Sequence, residues 1–346
     1  MNKQAGVIHL LIPIVVGLVI LVAVAAFLLG GNLKDMKGVD IAPEFSTKNG
    51  IDQNFNNPLA SHDTFITFST DAKAWEPGTL VKTGASVPEL IQLNKDVGKF
   101  EKGDLLIYFV DATTLTGHGT EGINTYYSSD LGKTWSEAGL INVSNKPNKG
   151  AVVDPSIVQF EDGTLRLYYF GSETTEGDPA SAEGAHNVYS ATSTDGINWT
   201  IESGVRFSDE RLTDPEIIFY NNKWYMYYSV GPETKLAVSG DGLKFESENI
   251  SGGNVGGVPG AVEVNGAVRI YGCSQGISTA ISQDGMKFSI DGRDIVKSSE
   301  KPVVCDPSVI KLQDGRYAMA YKIAEANEMM NGSQGGQMPP PKPPLY

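Results

Sequence analysis

Two short motifs recur five times each along the chain, and this repetition limits the possible folds more than any other feature. The first is a turn: "STDAKAW" (69–75), "SSDLGKTW" (128–135), "STDGINW" (193–199), "SGDGLKF" (239–245) and "SQDGMKF" (282–288). Each sets a Ser two residues before an Asp and closes on an aromatic. The Asp carboxylate can accept the backbone N–H bonds of a tight turn, Gly supplies positive φ, and the aromatic packs beneath. The second motif marks strand starts: "VPELI" (87–91), "DPSIV" (154–158), "DPEII" (214–218), "VPGAV" (258–262) and "DPSVI" (306–310). Proline has no N–H to give to a ladder, so it belongs at the first residue of a strand. A second apolar run follows each, as in "LLIYFV", "LRLYYF", "KWYMYYS", "VRIYG" and "YAMAYK".

Each unit reads as entrance strand, turn, second strand, loop, third strand, Ser-x-Asp turn and fourth strand. Four strands at a period of roughly 45 to 65 residues form the pattern of a propeller blade. Five units predict an all-β fold, a five-bladed β-propeller over residues 61–326. The order of the motifs also predicts how the ring closes. The chain begins with a turn (Asp71) that lacks a strand start before it, and ends with a strand start (Asp306) that lacks a turn after it. Residues near 63–77 should therefore supply the outer strands of the blade whose inner strands lie near 306–322, which removes the open edges.

The flanks differ in kind. The apolar run 10–29 is long enough to cross roughly 30 Å of hydrocarbon as a helix, and "GGN" follows it as a stop. It reads as one transmembrane helix within a membrane anchor over 1–31, with a cleaved signal peptide as the competing reading. The flanking lysines are nearly balanced, Lys3 against Lys34 and Lys37. The propeller is expected outside the cytoplasm, at the cell membrane. Residues 32–60 read as a linker and 327–346 as a Pro-rich disordered tail.

Charge excludes one partner class. The net charge is −14 with no basic patch, which disfavours a grip on nucleic acid phosphates and leaves neutral glycans as fitting partners. No D-x-[DN]-x-[DN]-G calcium loop occurs, and the sequence implies neither a metal nor a cofactor. Only two cysteines are present, Cys273 and Cys305, so the fold must be held by its own core. Both fall on one face of the expected ring, where either a disulfide or two thiols can sit.

The Asp-Pro strand starts, the "LYY" second strands and the "ATSTDGINW" turn resemble the five-bladed propeller glycosidase superfamily, which includes glycoside hydrolase families 43, 32 and 130. "SSDLGKTW" resembles the Asp-box of sialidases, matched by Ser128, Asp130, Gly132, Thr134 and Trp135. A sialidase would need an arginine cluster for its substrate carboxylate, and the chain's six Arg are scattered in second strands and turns.

The resemblance implies a central funnel lined by the start of each innermost strand, with catalytic carboxylates drawn from several blades. One protonates the leaving oxygen, and another activates water or attacks carbon. The residues before proline are Val87, Asp154, Asp214, Val258 and Asp306; those after it are Glu89, Ser156, Glu216, Gly260 and Ser308. Asp154 matches the family's second-blade Asp, which tunes the acid and orients substrate. Where family 43 places its first-blade base this chain has Val87, with Glu89 two positions on. Where families 43 and 32 place the third-blade acid it has Thr213, bracketed by Asp214 and Glu216.

The catalytic candidates are thus Asp154, Asp214, Glu216 and Asp306. A Glu beside a turn ordinarily faces solvent, which is the expectation for Glu89 and Glu216. Glu89 joins His118, Glu173, His186 and Arg211 as candidates for substrate binding, the middle three lying on the long loops 111–124 and 172–187. Three function classes follow: a membrane-anchored glycosidase acting on oligo- or polysaccharide, a glycan-binding propeller that has lost its base, and a scaffold for protein partners.

Overall fold

The computed structural model describes residues 58–116, 120–147, 152–171, 185–273, 276–299 and 301–325. The proposed anchor, nearly all of the linker and the Pro-rich tail lie outside the described residues. No helix among those described is long and apolar enough to cross a membrane; the helical content is a single 3-10 turn, Pro58–Ser61.

Among the described residues, twenty-three strands form five sheets, one per expected blade, antiparallel except at one edge strand each in blades 2 and 4. Blade 1 is Ala85–Gln92, Leu105–Thr116, Thr120–Ser128 and Ser136–Leu140. Blade 2 is Val153–Gln159, Leu165–Gly171, Ala185–Ser193 and Asn198–Ile201, with Phe207–Glu210 added on its third strand and Asn142–Ser144 running parallel at its edge. Blade 3 is Leu212–Tyr220, Lys223–Val230, Glu233–Ser239 and Glu246–Glu248. Blade 4 is Gly257–Val264, Ala267–Cys273, Ile277–Ser282 and Lys287–Val296, edged by Ser251–Gly252.

Blade 5 closes the ring as the motif order predicts. Its inner strands are Val303–Lys311 and Tyr317–Ala324, and its outer strands are Asp63–Ser69 and Thr79–Thr83 from the other end of the chain. Asp63–Ser69 pairs with Tyr317–Ala324 over its whole length, from Asp63 opposite Ile323 to Ser69 opposite Tyr317. Ends of the chain that meet inside one sheet leave no free edge at the join.

The core is divided into seams between neighbouring blades. Leu106, Tyr108 and Phe100 of blade 1 pack with Tyr169, Tyr189 and Trp199 of blade 2, and comparable clusters fill the other four junctions. The repeated tyrosines of the second strands explain why the turns recur. Tyr108, Tyr168 and Tyr227 donate their hydroxyls to the carbonyls of Gly196, Gly242 and Gly285, each in the Ser-x-Asp turn of the next blade. Tyr271 does the same to Ala72, which ties blade 4 to the N-terminal turn in blade 5. The turns themselves follow the expected chemistry: against the opposing effect of burial, the Asn198 side-chain amide at 2.8 Å and the Asn198 and Ile197 backbone amides at 2.7 and 2.9 Å donate to Asp195 and hold its carboxyl down at about 2. These aspartates stabilise hairpins.

Candidate active site

Each strand start carries the same backbone distortion. The residue before proline is left-handed in all five blades, with φ of 48° at Val87 and Asp154, 50° at Asp214, 52° at Val258 and 54° at Asp306. Proline offers no N–H, and its ring disfavours the right-handed helical conformation in the residue before it. Every inner strand slips register at this point, between Ser86 and Glu89, Val153 and Ser156, Thr213 and Glu216, Gly257 and Gly260, and Cys305 and Ser308. Such a bulge re-aims a side chain. A left-handed non-glycine residue costs roughly 1–2 kcal/mol, and here the cost recurs around one axis, twice at β-branched valines.

The five re-aimed residues, their prolines, and Glu89, Glu216 and Ser308 line an axial channel. Its cavity volume is ≈ 30 Å³, which suits water and excludes a sugar ring. A saccharide could therefore meet these carboxylates only from the mouth.

The three aspartates before proline divide into different environments. Asp306 belongs to blade 5 but reaches blade 1: its Oδ2 accepts from the Val87 amide at 3.2 Å and pairs with Lys322 Nζ at 2.7 Å. Asp154 of blade 2 reaches blade 3 in the same way, its Oδ2 accepting from the Asp214 amide at 3.3 Å. By this pattern Asp214 would take the amide of Val258 in blade 4, but Ser229 Oγ already accepts that N–H at 2.6 Å. Asp214 instead receives the Thr213 hydroxyl at 2.6 Å. Desolvation in the channel, and then the charge of Asp306, push the Asp214 carboxyl up to about 6 against the hydrogen bonds from Thr213 and Asp154 and the charge of Lys322.

Glu89 and Glu216 do not face solvent, contrary to the sequence expectation. Both are buried, because the residue after proline points across the seam to the next blade. Glu89 Oε1 accepts from the Ile157 amide at 2.7 Å, Ser156 Oγ from Ile217 at 3.0 Å, Glu216 Oε1 from Ala261 at 3.1 Å, and Ser308 Oγ from Leu90 at 2.9 Å. The fifth link is absent because blades 4 and 5 approach too closely: a Cβ on Gly260 would lie 1.8 Å from the Pro307 carbonyl oxygen. Further hydrogen bonds run from the Ser308 hydroxyl to Glu89 Oε2 at 2.7 Å and from Ser156 to Glu216 Oε2 at 3.4 Å. Burial pushes Glu89 up to about 7 and Glu216 well above the usual carboxylate range, the latter also raised by Glu89. Glu216 sits in the channel wall as a blade-to-blade link.

The remaining candidates scatter. His186 is not open to a ligand: it is buried at the start of its strand, its Nδ1 lies 2.7 Å from the Leu212 carbonyl oxygen, and its ring stacks on Phe170. Arg211 is exposed, in a left-handed link between Phe207–Glu210 and Leu212–Tyr220, and does not line the channel. His118 and Glu173 lie outside the described residues. Cys273 and Cys305 form a disulfide, Cα–Cα 5.1 Å, joining the second strand of blade 4 to the first of blade 5. That resolves the two readings of the cysteines. The residue that sequence reasoning missed is Lys322, whose trace was a lysine closing the otherwise apolar run "YAMAYK".

No protein-family model and no curated protein matches the sequence. Solved structures do match in fold. The GH43_1 enzyme from Xanthomonas citri complexed with xylotriose aligns at TM-score 0.50 and 12% identity, over 69% of this chain and 87% of that one. Sucrose-6-phosphate hydrolase from Lactobacillus gasseri aligns at TM-score 0.52 and 14% identity, over 68% of this chain and 53% of the hydrolase. The Penicillium chrysogenum alpha-L-arabinanase complexed with arabinobiose aligns at TM-score 0.48 and 19% identity, over 71% and 81%. The chain thus spans about half the length of the sucrose-6-phosphate hydrolase. The resemblance to propeller glycosidases seen in the motifs is present in the fold.

Proposed function

We propose that this propeller is a glycoside hydrolase that receives an oligo- or polysaccharide at the mouth of the axial channel. The observation that carries the reading is the unequal surroundings of the aspartates before proline: Asp306 is paired with Lys322, whereas Asp214 receives the Thr213 hydroxyl. Hydrolysis needs a carboxyl that holds a proton beside a carboxylate that does not. Asp214, pushed up to about 6, has the character of the general acid. Asp306, ion-paired with Lys322 and bonded to the blade-1 amide, stands at the strand start where Val87 replaces the family's base. It is assigned the role of base or nucleophile. Asp154 is assigned the family's tuning role through its hydrogen bond to Asp214. Glu216 is withdrawn from this machinery because both its oxygens serve blade contacts.

The expected setting is the outer face of a cell membrane, with residues 10–29 as anchor. A disulfide persists in an oxidising compartment, and Cys273–Cys305 fits that placement.

The test is release of sugar from aryl glycosides and from plant and microbial polysaccharides by the soluble body. Activity should fall as pH rises through about 6, where Asp214 gives up its proton. Asp214→Asn and Asp154→Asn should each abolish release. A second reading has its own support, since Val87 and Val258 occupy two of the five positions before proline and the channel is too narrow for a sugar. Saccharide binding without release at any pH would establish a glycan-binding propeller and end the hydrolase reading.

A further inference from the structure

Lys322 is a charged, half-buried side chain in an apolar strand, and its placement demands an account. Its side chain is 15% exposed, and that of its partner Asp306 is 4% exposed. In the ladder Lys322 lies opposite Cys305 on one side and Thr64 on the other, so the fold fixes its backbone at the first turn of the blade-5 strand start. A buried ammonium is tolerated only when paired, and such a pair seldom adds stability over apolar residues of similar volume. The lysine therefore needs a reason other than holding the blade.

Its surroundings supply one. Four groups face the Asp306 carboxylate: Lys322 from its own blade, the Val87 amide from blade 1, the charge of Asp214 from blade 3, and the Cys273–Cys305 disulfide joining blade 4. Lys322 is the one cation among them. Without it, Asp306 and Asp214 would be two carboxyls in a narrow channel with like charges, and the proton would be shared between them.

We propose that Lys322 is a positioning residue that divides the labour between the channel aspartates, clamping the Asp306 carboxylate at the blade-1 strand start and leaving the transferable proton to Asp214. This rests on the glycosidase reading above for its catalytic meaning, but the clamp can be measured without any substrate. The amide of Val87 and the ammonium of Lys322 hold the same oxygen, Oδ2, so loss of the ammonium frees the carboxylate from one of two anchors.

The experiment compares the native protein with Lys322→Met, Lys322→Arg and the double variant Lys322→Met/Asp306→Asn, which removes both charges and keeps the channel from holding an unpaired one. Carboxyl-carbon NMR, with signals assigned through Asp306→Asn and Asp214→Asn, follows each titration. The charge of Lys322 holds the Asp214 carboxyl down against burial and the charge of Asp306, so in Lys322→Met the Asp214 midpoint should rise above about 6. Lys322→Arg should restore it. In hydrolysis, the alkaline limb of the kcat/KM profile should move up by the same amount, with little change in KM.

If Lys322→Met is less stable but leaves the Asp214 midpoint where it was, the clamp is refuted and the lysine is a structural partner only. If the midpoint moves and no glycan is cleaved, the clamp stands and the glycosidase reading falls. The two failures are therefore distinguishable.

Discussion

Replacing Glu89 by Gln tests whether this carboxyl is a buried link between blades. Glu89 is 6% exposed, and burial lifts it from 4.5 to about 7 despite hydrogen bonds from the Ile157 amide and the Ser308 hydroxyl. An unfolded chain gives up that proton near 4.5, whereas the folded protein keeps it until about 7. Between these values the folded state binds more protons, so stability falls as pH rises. The contribution is fully present below pH 4.5 and lost above about 7. At 1.36 kcal/mol per pH unit the loss across the window is ~3 kcal/mol. Gln has nearly the same shape and keeps an acceptor for Ile157, but does not titrate. Urea denaturation of both proteins at steps from pH 4.5 to 8 should show the native protein losing stability relative to Glu89→Gln by ~3 kcal/mol. Part of the slope should persist in Glu89→Gln through Glu216 and Asp214, and shrink further in the Glu89→Gln/Glu216→Gln variant, where Asp214 still titrates. If the native and Glu89→Gln curves run parallel within about 0.5 kcal/mol, the carboxyl is solvated and the ring of links described above is wrong.

Gly260→Ala should be strongly destabilising, by ~3 kcal/mol or more, because its Cβ would meet the Pro307 backbone rather than a movable side chain. Gly240→Ala, with nothing within 4 Å of its Cβ and no positive φ, should be neutral or slightly stabilising, and thermal melts of the pair settle the matter. Tyr227→Phe removes the 2.8 Å bond to the Gly285 carbonyl and should cost about 1 kcal/mol in denaturant titration, with no change of fold by circular dichroism. Cys273→Ser/Cys305→Ser opens a link across 32 residues and should lower stability by ~3.5 kcal/mol on loop-entropy grounds, seen as a reduced urea midpoint.

Much of the architecture was legible because a propeller repeats its signals. The five proline strand starts and five Ser-x-Asp turns are local features, set by the missing proline N–H and by the reach of an Asp carboxylate over two or three residues. Their offset at the two chain ends was enough to predict that Asp63–Ser69 would pair with Tyr317–Ala324. The candidate site was legible in part: Asp154, Asp214 and Asp306 do meet at one channel. His186 and Arg211 do not join them, because loop position says little about direction. His186 turned inward onto Phe170, and Arg211 stayed outside the channel.

Glu89 and Glu216 mark the boundary of what a sequence can state. In a regular strand, alternation tells which residues share a face, but a bulge at each proline breaks the alternation where the site lies. Residues on both sides of the proline thereby reach the channel and the next blade, an arrangement no spacing encodes. Contacts between residues far apart in the chain were equally out of reach: Val87 with Asp306, Leu90 with Ser308, and Tyr271 with Ala72 join positions about 200 residues apart. The sequence by itself determined the blade count, the closing blade and the column of aspartates, because these follow from local turn and strand chemistry. Only the tertiary structure decided which carboxylates line the channel, which link neighbouring blades, and that Lys322 pairs with Asp306, because those contacts depend on what the neighbouring strand or blade presents.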